Sequence, residues 1–213
     1  MKTIRKALVG FAVMALMSCA VPVSAAIPQE AHQHQRELTR NARAIWGMDA
    51  PISTFAGQIH QESGWKVNAR SPVGAQGLAQ FMPDTSRWIA QMYPQSLGEQ
   101  APYNPSWALR ALVTYDHWLY QRIQANTECD RWAFVLSAYN GGLGWVQRDR
   151  KKAAQMGLDS GRYWSSVEGV NAGRGAAYFR ENRGYPQRII TRWQPQYHAA
   201  GWGMGVCHDR LTP

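Results

Sequence analysis

The sequence is poor in long apolar runs, in cysteine and in β-branched alternation, and each shortage narrows what the chain can be. The leading apolar run extends from Ala7 to Met17 and nothing later is longer. It falls well short of the ~20 residues needed to cross a bilayer, so no membrane span is expected. The run follows Lys2, Arg5 and Lys6 and precedes the small residues Val23-Ser24-Ala25-Ala26. That order marks residues 1–25 as a secretory leader, cleaved near Ala25 or Ala26. Leu16-Met17-Ser18-Cys19 offers a second route, a lipobox in which Cys19 is acylated and becomes the new terminus. Met17 is unusual in that box, and the small-residue site favours ordinary cleavage.

Only three cysteines are present, and Cys129 and Cys207 remain once the leader is gone. In an oxidising compartment two leftover cysteines are expected to pair; two buried free thiols are the alternative. Without Lys2, Arg5 and Lys6 the chain carries 20 basic against 14 acidic residues, a net +6. A basic exported protein suits an anionic partner such as cell-wall polymer or a membrane surface. Nucleic acid is disfavoured by export and by the lack of any binding motif. There are no repeats, and the remaining roughly 190 residues suffice for one domain with a core. With so little β-branched alternation, that domain is expected to be mainly α.

The helical pattern begins with Gln29 to Gly47, where Leu38, Ala42, Ile45 and Trp46 mark a thin apolar stripe. His32 and His34 lie in its polar beginning; no further ligand is near in sequence, so they read as solvated surface and not as metal ligands. Asp49 and Pro51 read as the cap and first turn of a second helix. Pro83 opens a short helix through Met92, stopped by Tyr93-Pro94, and Asn104-Pro105 starts the longest one. Asp130 reads as the cap of a helix from Arg131 to Tyr139. Arg148-Asp149-Arg150-Lys151-Lys152 reads as an exposed helix face, with contact to an anionic glycan or lipid as the minority alternative.

Within the second helix, Ile52, Phe55, Ala56 and Ile59 recur at helical spacing. Glu62 follows Ile59 by three and Phe55 by seven, which sets its carboxylate on the same core-facing stripe, and Gly64 ends the helix. A carboxylate facing an apolar interior is pushed toward its protonated form, which is how general acids are made. Periodicity alone leaves a buried structural acid equally open. The stretch that follows, Ser71-Pro72-Val73-Gly74-Ala75-Gln76-Gly77-Leu78-Ala79-Gln80-Phe81-Met82-Pro83, has glycines and small residues that let a loop close over the helix end. Gln80 adds an amide able to donate and accept toward a sugar.

Glu62-Ser63 with Ser71-x-x-Gly74-Ala75-x-Gly77-Leu78-x-Gln80-x-Met82-Pro83 resembles the first motif of the soluble, goose-type-lysozyme-like lytic transglycosylases. Ala138-Tyr139-Asn140-Gly141-Gly142 is similar to the family's second motif and Glu181-x-Arg183-Gly184-Tyr185 to its last. The resemblance runs from about Ile52 to Trp193. It implies a single lysozyme-like, goose-type domain with a sugar-binding cleft over residues 26–213, its core at about 45–195. It makes Glu62 the catalytic acid and base, Ser71 and Tyr185 the residues that orient it, and Gln80, Met82, Tyr139 and Asn140 the lining of the cleft. Tyr139 as core packing and Asn140-Gly141 as a helix cap stay open beside those roles. The implied activity is cleavage of the MurNAc-β-1,4-GlcNAc bond of peptidoglycan with formation of 1,6-anhydro-MurNAc ends, by a monomeric periplasmic protein without cofactor or metal. An envelope-spanning secretion apparatus is a further candidate partner.

The sequence departs from the family at Ala79, where Met is common, and at Asn182, where Thr is usual; a cap or contact there is in doubt. The interval from Asn140 to Glu181 is also long. Three rivals remain. A hydrolytic lysozyme of the same fold would use water and a second carboxylate such as Asp84 or Glu181. A non-catalytic wall-binding protein would not need Glu62. A zinc site at His60-Gln61-Glu62 lacks the Pro-Cys-x-x-Cys that would accompany it.

Overall fold

The computed structural model describes residues 27–207. The leader, its cleavage site and Cys19 lie outside the described residues, as do residues 208–213. The helices are α1 (Gln29–Trp46), α2 (Ile52–Ser63), α3 (Pro83–Met92), α4 (Pro94–Leu97), α5 (Pro105–Arg122), α6 (Glu128–Gly141), α7 (Leu143–Gln155), α8 (Ala176–Arg188) and α9 (Gln194–Ala199). Among the described residues the only β pairing is two isolated bridges, Arg70 with Gln76 and Gln76 with Phe81, which fold the long loop after α2. The mainly α expectation therefore holds.

Burial explains the order of the layers. From Ile52 to Ile59 every residue of α2 is buried, and so is every residue of α6 from Trp132 to Ala138. These two are the central helices. Around them, α1 packs on α5, α6 on α5, α7 and α8, and α2 on the turn Ile189–Trp193 and on α9. The close approach of α2 to that turn needs Gly57: a Cβ there would stand 3.0 Å from the Gln194 nitrogen. Pro186 inside α8 removes one backbone donor, and the chain passes directly into a widened π-type turn over Ile189–Trp193.

Two of the three start signals resolve differently from their sequence reading. Asp49 does not cap α2, because the capping position is Pro51, which has no side-chain acceptor. One first-turn donor is met from the far end of the chain, Ser53 N–H donating to Met204 O at 3.0 Å, and the Ser53 hydroxyl donates to Gly203 O at 2.6 Å. In α6 the cap is Thr127, whose hydroxyl accepts from Asp130 N–H at 3.0 Å. Asp130 sits one turn in and uses Oδ1 to accept from the backbone of Tyr163 and Trp164. At α5, Asn104 caps as expected, accepting from Trp107 N–H at 3.2 Å; at 18 residues α5 shares the greatest length with α1.

Cys129 at the start of α6 and Cys207 form a disulfide across 78 positions of sequence. Closing so long a loop contributes about 4 kcal/mol in the chain-entropy description. The bridge fixes the C-terminal segment that caps α2. Among the described residues, no helix is long and apolar enough to cross a membrane.

The Arg148–Lys152 run lies on α7, with Arg148, Lys151 and Lys152 exposed and Asp149 fully buried. The exposed-face reading thus misses its one acid. Asp149 follows Val146 by three and precedes Ala153 by four, so it falls on the inward stripe. There it receives Arg183 Nη2 at 2.6 Å and an ion pair from Arg174.

Candidate active site

Glu62 occupies the last turn of α2, where Gly64 adopts the left-handed conformation (φ 57°) that ends the helix. It is partly open to a cleft and otherwise surrounded by protein. Tyr185, buried on α8, donates its hydroxyl to Glu62 Oε1. Burial pushes the Glu62 carboxyl up to about 8; the Tyr185 hydrogen bond opposes the shift and the nearby Glu181 charge adds to it. Glu62 is therefore protonated at neutral pH, with one hydroxyl fixing its orientation.

The cleft beside it has a volume of about 410 Å³ and brings together Glu62 from α2, Ser71, Gln80 and Met82 from the loop that follows, and Tyr139 and Asn140 from α6. Tyr185 stands behind Glu62, outside that lining. A larger cavity, about 810 Å³ beside the disulfide, shares none of these residues; its buried acid, Asp130, is taken up by the backbone N–H groups of Tyr163 and Trp164.

Each lining residue has a local reason for its place. Ser71 Oγ accepts from Ala75 N–H at 2.9 Å and so closes the loop turn; among the described residues it makes no hydrogen bond to Glu62. Gly77 has φ 71°, and a Cβ there would lie 1.8 Å from Pro102 O, so only glycine fits. Gln80, itself left-handed (φ 47°), turns its amide donors back to Gly77 O (2.9 Å) and Ala69 O (3.2 Å), not outward to a sugar. Met82 is 43% exposed at the cleft. Tyr139 donates its hydroxyl to Ala79 O at 2.8 Å, tying α6 to the motif loop, and its ring packs near Phe81 and Tyr115. Asn140 Oδ1 accepts from Asn182 Nδ2 at 3.0 Å.

The departure at Asn182 costs no contact. Its side chain accepts from Ser137 Oγ (2.8 Å) and Arg183 Nη1 (2.7 Å) and donates to Ser137 O (2.8 Å), joining α6 to α8. Of the two proposed second carboxylates, Asp84 is 92% exposed in its side chain and pairs with Arg87, away from the cleft, whereas Glu181 lines the cleft. His60 stacks on Trp193 at 3.8 Å between ring centroids and its Nδ1 lies 2.8 Å from Tyr197 Oη. No group of three potential metal ligands occurs among the described residues.

One residue of the site escaped the sequence reading. Asp116 on α5 is fully buried, held only by Gln58 Nε2 at 3.4 Å, with Oδ2 unpartnered. Burial raises its carboxyl well above the usual range, and Glu62 adds to the shift. A signal was there, since Asp116 follows Leu112 by four, the spacing that puts both on one face of α5, and both are buried.

Residues 42–159 match the family model described as the Transglycosylase SLT domain. The chain belongs to this family. The chain is 31% identical over 117 residues to the membrane-bound lytic murein transglycosylase F of Shewanella pealeana, covering 54% of this chain and 22% of that protein. It is 29% identical over 149 residues to the soluble lytic murein transglycosylase of Salmonella typhimurium, covering 68% and 20%. The chain thus spans about a fifth of the length of these curated relatives. Among solved structures it resembles the lytic transglycosylase Slt of Pseudomonas aeruginosa (TM-score 0.59, 20% identity, covering 84% of this chain and 26% of that one). It also resembles the 70 kDa soluble lytic transglycosylase of Escherichia coli (TM-score 0.55, 23% identity, covering 79% and 24%). At that identity the likeness establishes the fold, a mainly α soluble-lytic-transglycosylase domain.

Proposed function

We propose that this SLT domain is a peptidoglycan lytic transglycosylase with Glu62 as its sole acid and base. The observation that carries the reading is the Glu62 carboxyl at the wall of a cleft, receiving one tyrosine hydroxyl and no counter-charge, in surroundings that push its pKa up to about 8. In this mechanism Glu62 gives its proton to the glycosidic oxygen between N-acetylmuramic acid and N-acetylglucosamine, and the C–O bond breaks through an oxocarbenium-like transition state. The muramoyl 2-acetamido group assists at the anomeric carbon, so no second carboxylate acts as nucleophile. Glu62, now a carboxylate, takes the proton of the sugar's own 6-hydroxyl, whose oxygen closes the 1,6-anhydro ring. Protons balance and no water is consumed. Ser71 and Gln80 act by holding the loop, while Met82, Tyr139 and Asn140 present the surface against which the sugars lie.

A hydrolytic reading is favoured by one feature, Glu181 on the cleft wall. Digestion of purified sacculi with mass analysis separates the two. The transglycosylase reading expects muropeptide ends one water lighter than hydrolytic ends, absent with Glu62→Gln; reducing ends overturn it. Lysis that survives Glu62→Gln overturns the role of Glu62 altogether. We further infer that the chain is exported to the periplasm and acts on anionic wall as a basic protein. N-terminal mass analysis tests this: a terminus near Ala26 supports it, and an acylated Cys19 replaces it with membrane anchoring.

A further inference from the structure

Behind the catalytic acid lies a second buried acid to which the mechanism gives no task. Gln58 and Glu62 are four apart on α2, the spacing that sets both on one face of the helix, and Asp116 reaches that face from α5. Gln58 and Asp116 are both fully buried. The titratable groups that face Asp116 are Glu62 from α2, Tyr139 from α6, Tyr185 from α8 and its own neighbour Tyr115, and none of them is a cation. The hydroxyl hydrogens of Tyr185 and Tyr139 are already given, to Glu62 Oε1 and to Ala79 O.

The polar atoms left over form a matched set. Gln58 Nε2 donates to Asp116 Oδ1 across 3.4 Å, a long contact, while Gln58 Oε1 and Asp116 Oδ2 have no partner. With Asp116 ionised, both leftover atoms are acceptors, buried and unsatisfied beside a carboxylate that no cation offsets. A single proton on Oδ2 removes the charge and gives Oε1 a donor. Carboxylic acid and amide then close on each other as a reciprocal pair. The order of ionisation agrees with this: burial raises Asp116, and a charge on Glu62 raises it further, so the Asp116 proton is held more firmly once Glu62 has lost its own.

We propose that Asp116 is a positioning residue for the chemistry of Glu62: it stays a neutral carboxylic acid closed on Gln58, one helical turn from Glu62, so that Glu62 alone carries the negative charge of the site. The role falls in the middle of the reaction. After Glu62 has given its proton to the glycosidic oxygen, it stands as a buried carboxylate until the proton of the 6-hydroxyl arrives. An ionised Asp116 would set two anions in one apolar interior and hold the Glu62 proton too tightly to be given. Asp116 itself touches no substrate and passes no proton. The kinetic consequence rests on the lytic reading of the cleft; the proton on Asp116 does not.

Infrared spectroscopy locates that proton without turnover. In Glu62→Gln protein at pH 7, the carbonyl band of a protonated carboxyl is expected, shifting in D₂O and lost when Asp116→Asn is added; its absence overturns the proposal. Turnover of soluble glycan strands supplies the second arm. Asp116→Leu strands the Gln58 amide and is expected to lower kcat about tenfold at unchanged KM. Asp116→Asn rebuilds the reciprocal pair with an amide and should restore the rate, with the alkaline limb of the pH–rate profile at its wild-type position. A limb moved toward lower pH by about one unit in Asp116→Asn means that wild-type Asp116 is charged, and overturns the proposal. So does a rate in Asp116→Asn as low as that of Asp116→Leu. Should Asp116→Leu fail to fold, the infrared band and the Asp116→Asn profile still decide. If the band is present and unmutated protein leaves sacculi intact, the lytic reading fails and the proton stands; anhydro products without the band give the reverse.

Discussion

Glu62 and Asp149 are two carboxylates set into the same α-helical domain and treated in opposite ways. Asp149 is met by two guanidiniums and a backbone N–H and locks α7 to the loop after it and to α8. Glu62 is given one neutral hydroxyl and an acidic neighbour, and burial raises it to about 8. Counter-charge makes a carboxylate a structural bolt; withholding it leaves a carboxylic acid with a proton to give. The same contrast separates the stability of the domain from its chemistry.

The comparison breaks most sharply at Glu62 itself. Glu62→Gln is expected to lower sacculus lysis by about 10³-fold, measured as release of soluble muropeptides, because it removes the proposed general acid. It should also stabilise the fold. Glu62 holds its proton more tightly folded than unfolded, so its contribution is favourable below pH 4.5 and is lost progressively as pH rises through about 8. Gln carries no such loss, and the variant should gain roughly 1–3 kcal/mol at pH 7, and nothing at pH 4, in denaturant titrations. Asp149→Asn should do the opposite, leaving two buried guanidiniums without their anion and costing about 3 kcal/mol, read as a melting temperature lower by roughly 10 °C.

Smaller changes sharpen the contrast. Tyr185→Phe removes the hydrogen bond that opposes the Glu62 shift. Its pH–rate profile should lose activity at a higher pH than the wild type does, with the maximal rate down about tenfold because the acid is no longer oriented. Glu181→Gln removes a charge that raises Glu62. The alkaline limb should then move slightly toward lower pH with little change in maximal rate, and a large loss of rate would instead favour the hydrolytic reading.

Much of the site could be read from sequence because its parts are local. The spacing of Phe55, Ile59 and Glu62 placed the acid on the buried stripe, and Gly64 and Gly77 marked the turns that bring the loop back. What was not legible depends on partners far away in the chain. The capping of α2 by Gly203 and Met204 is set by the disulfide, and neither Asp49 nor any local residue signals it. Gln80 looked like a sugar ligand because its amide can serve one, but the left-handed backbone that Gln80 adopts points its donors into the loop. Asp149 was hidden by the four basic residues around it, although its spacing from Val146 and Ala153 set it on the inward face. Asp116 was passed over for a different reason: a single charged letter among apolar ones signals nothing until that face of α5 is seen to be buried.

The most direct measurement is the titration of Glu62 by carbon NMR of its side-chain carboxyl, with Glu62→Gln to assign the signal. The account predicts a single ionisation near pH 8, falling below that value in Glu181→Gln and rising above it in Tyr185→Phe. An ionisation near 4.5, the ordinary glutamate value, would contradict it, since Glu62 would then hold no proton to donate at neutral pH.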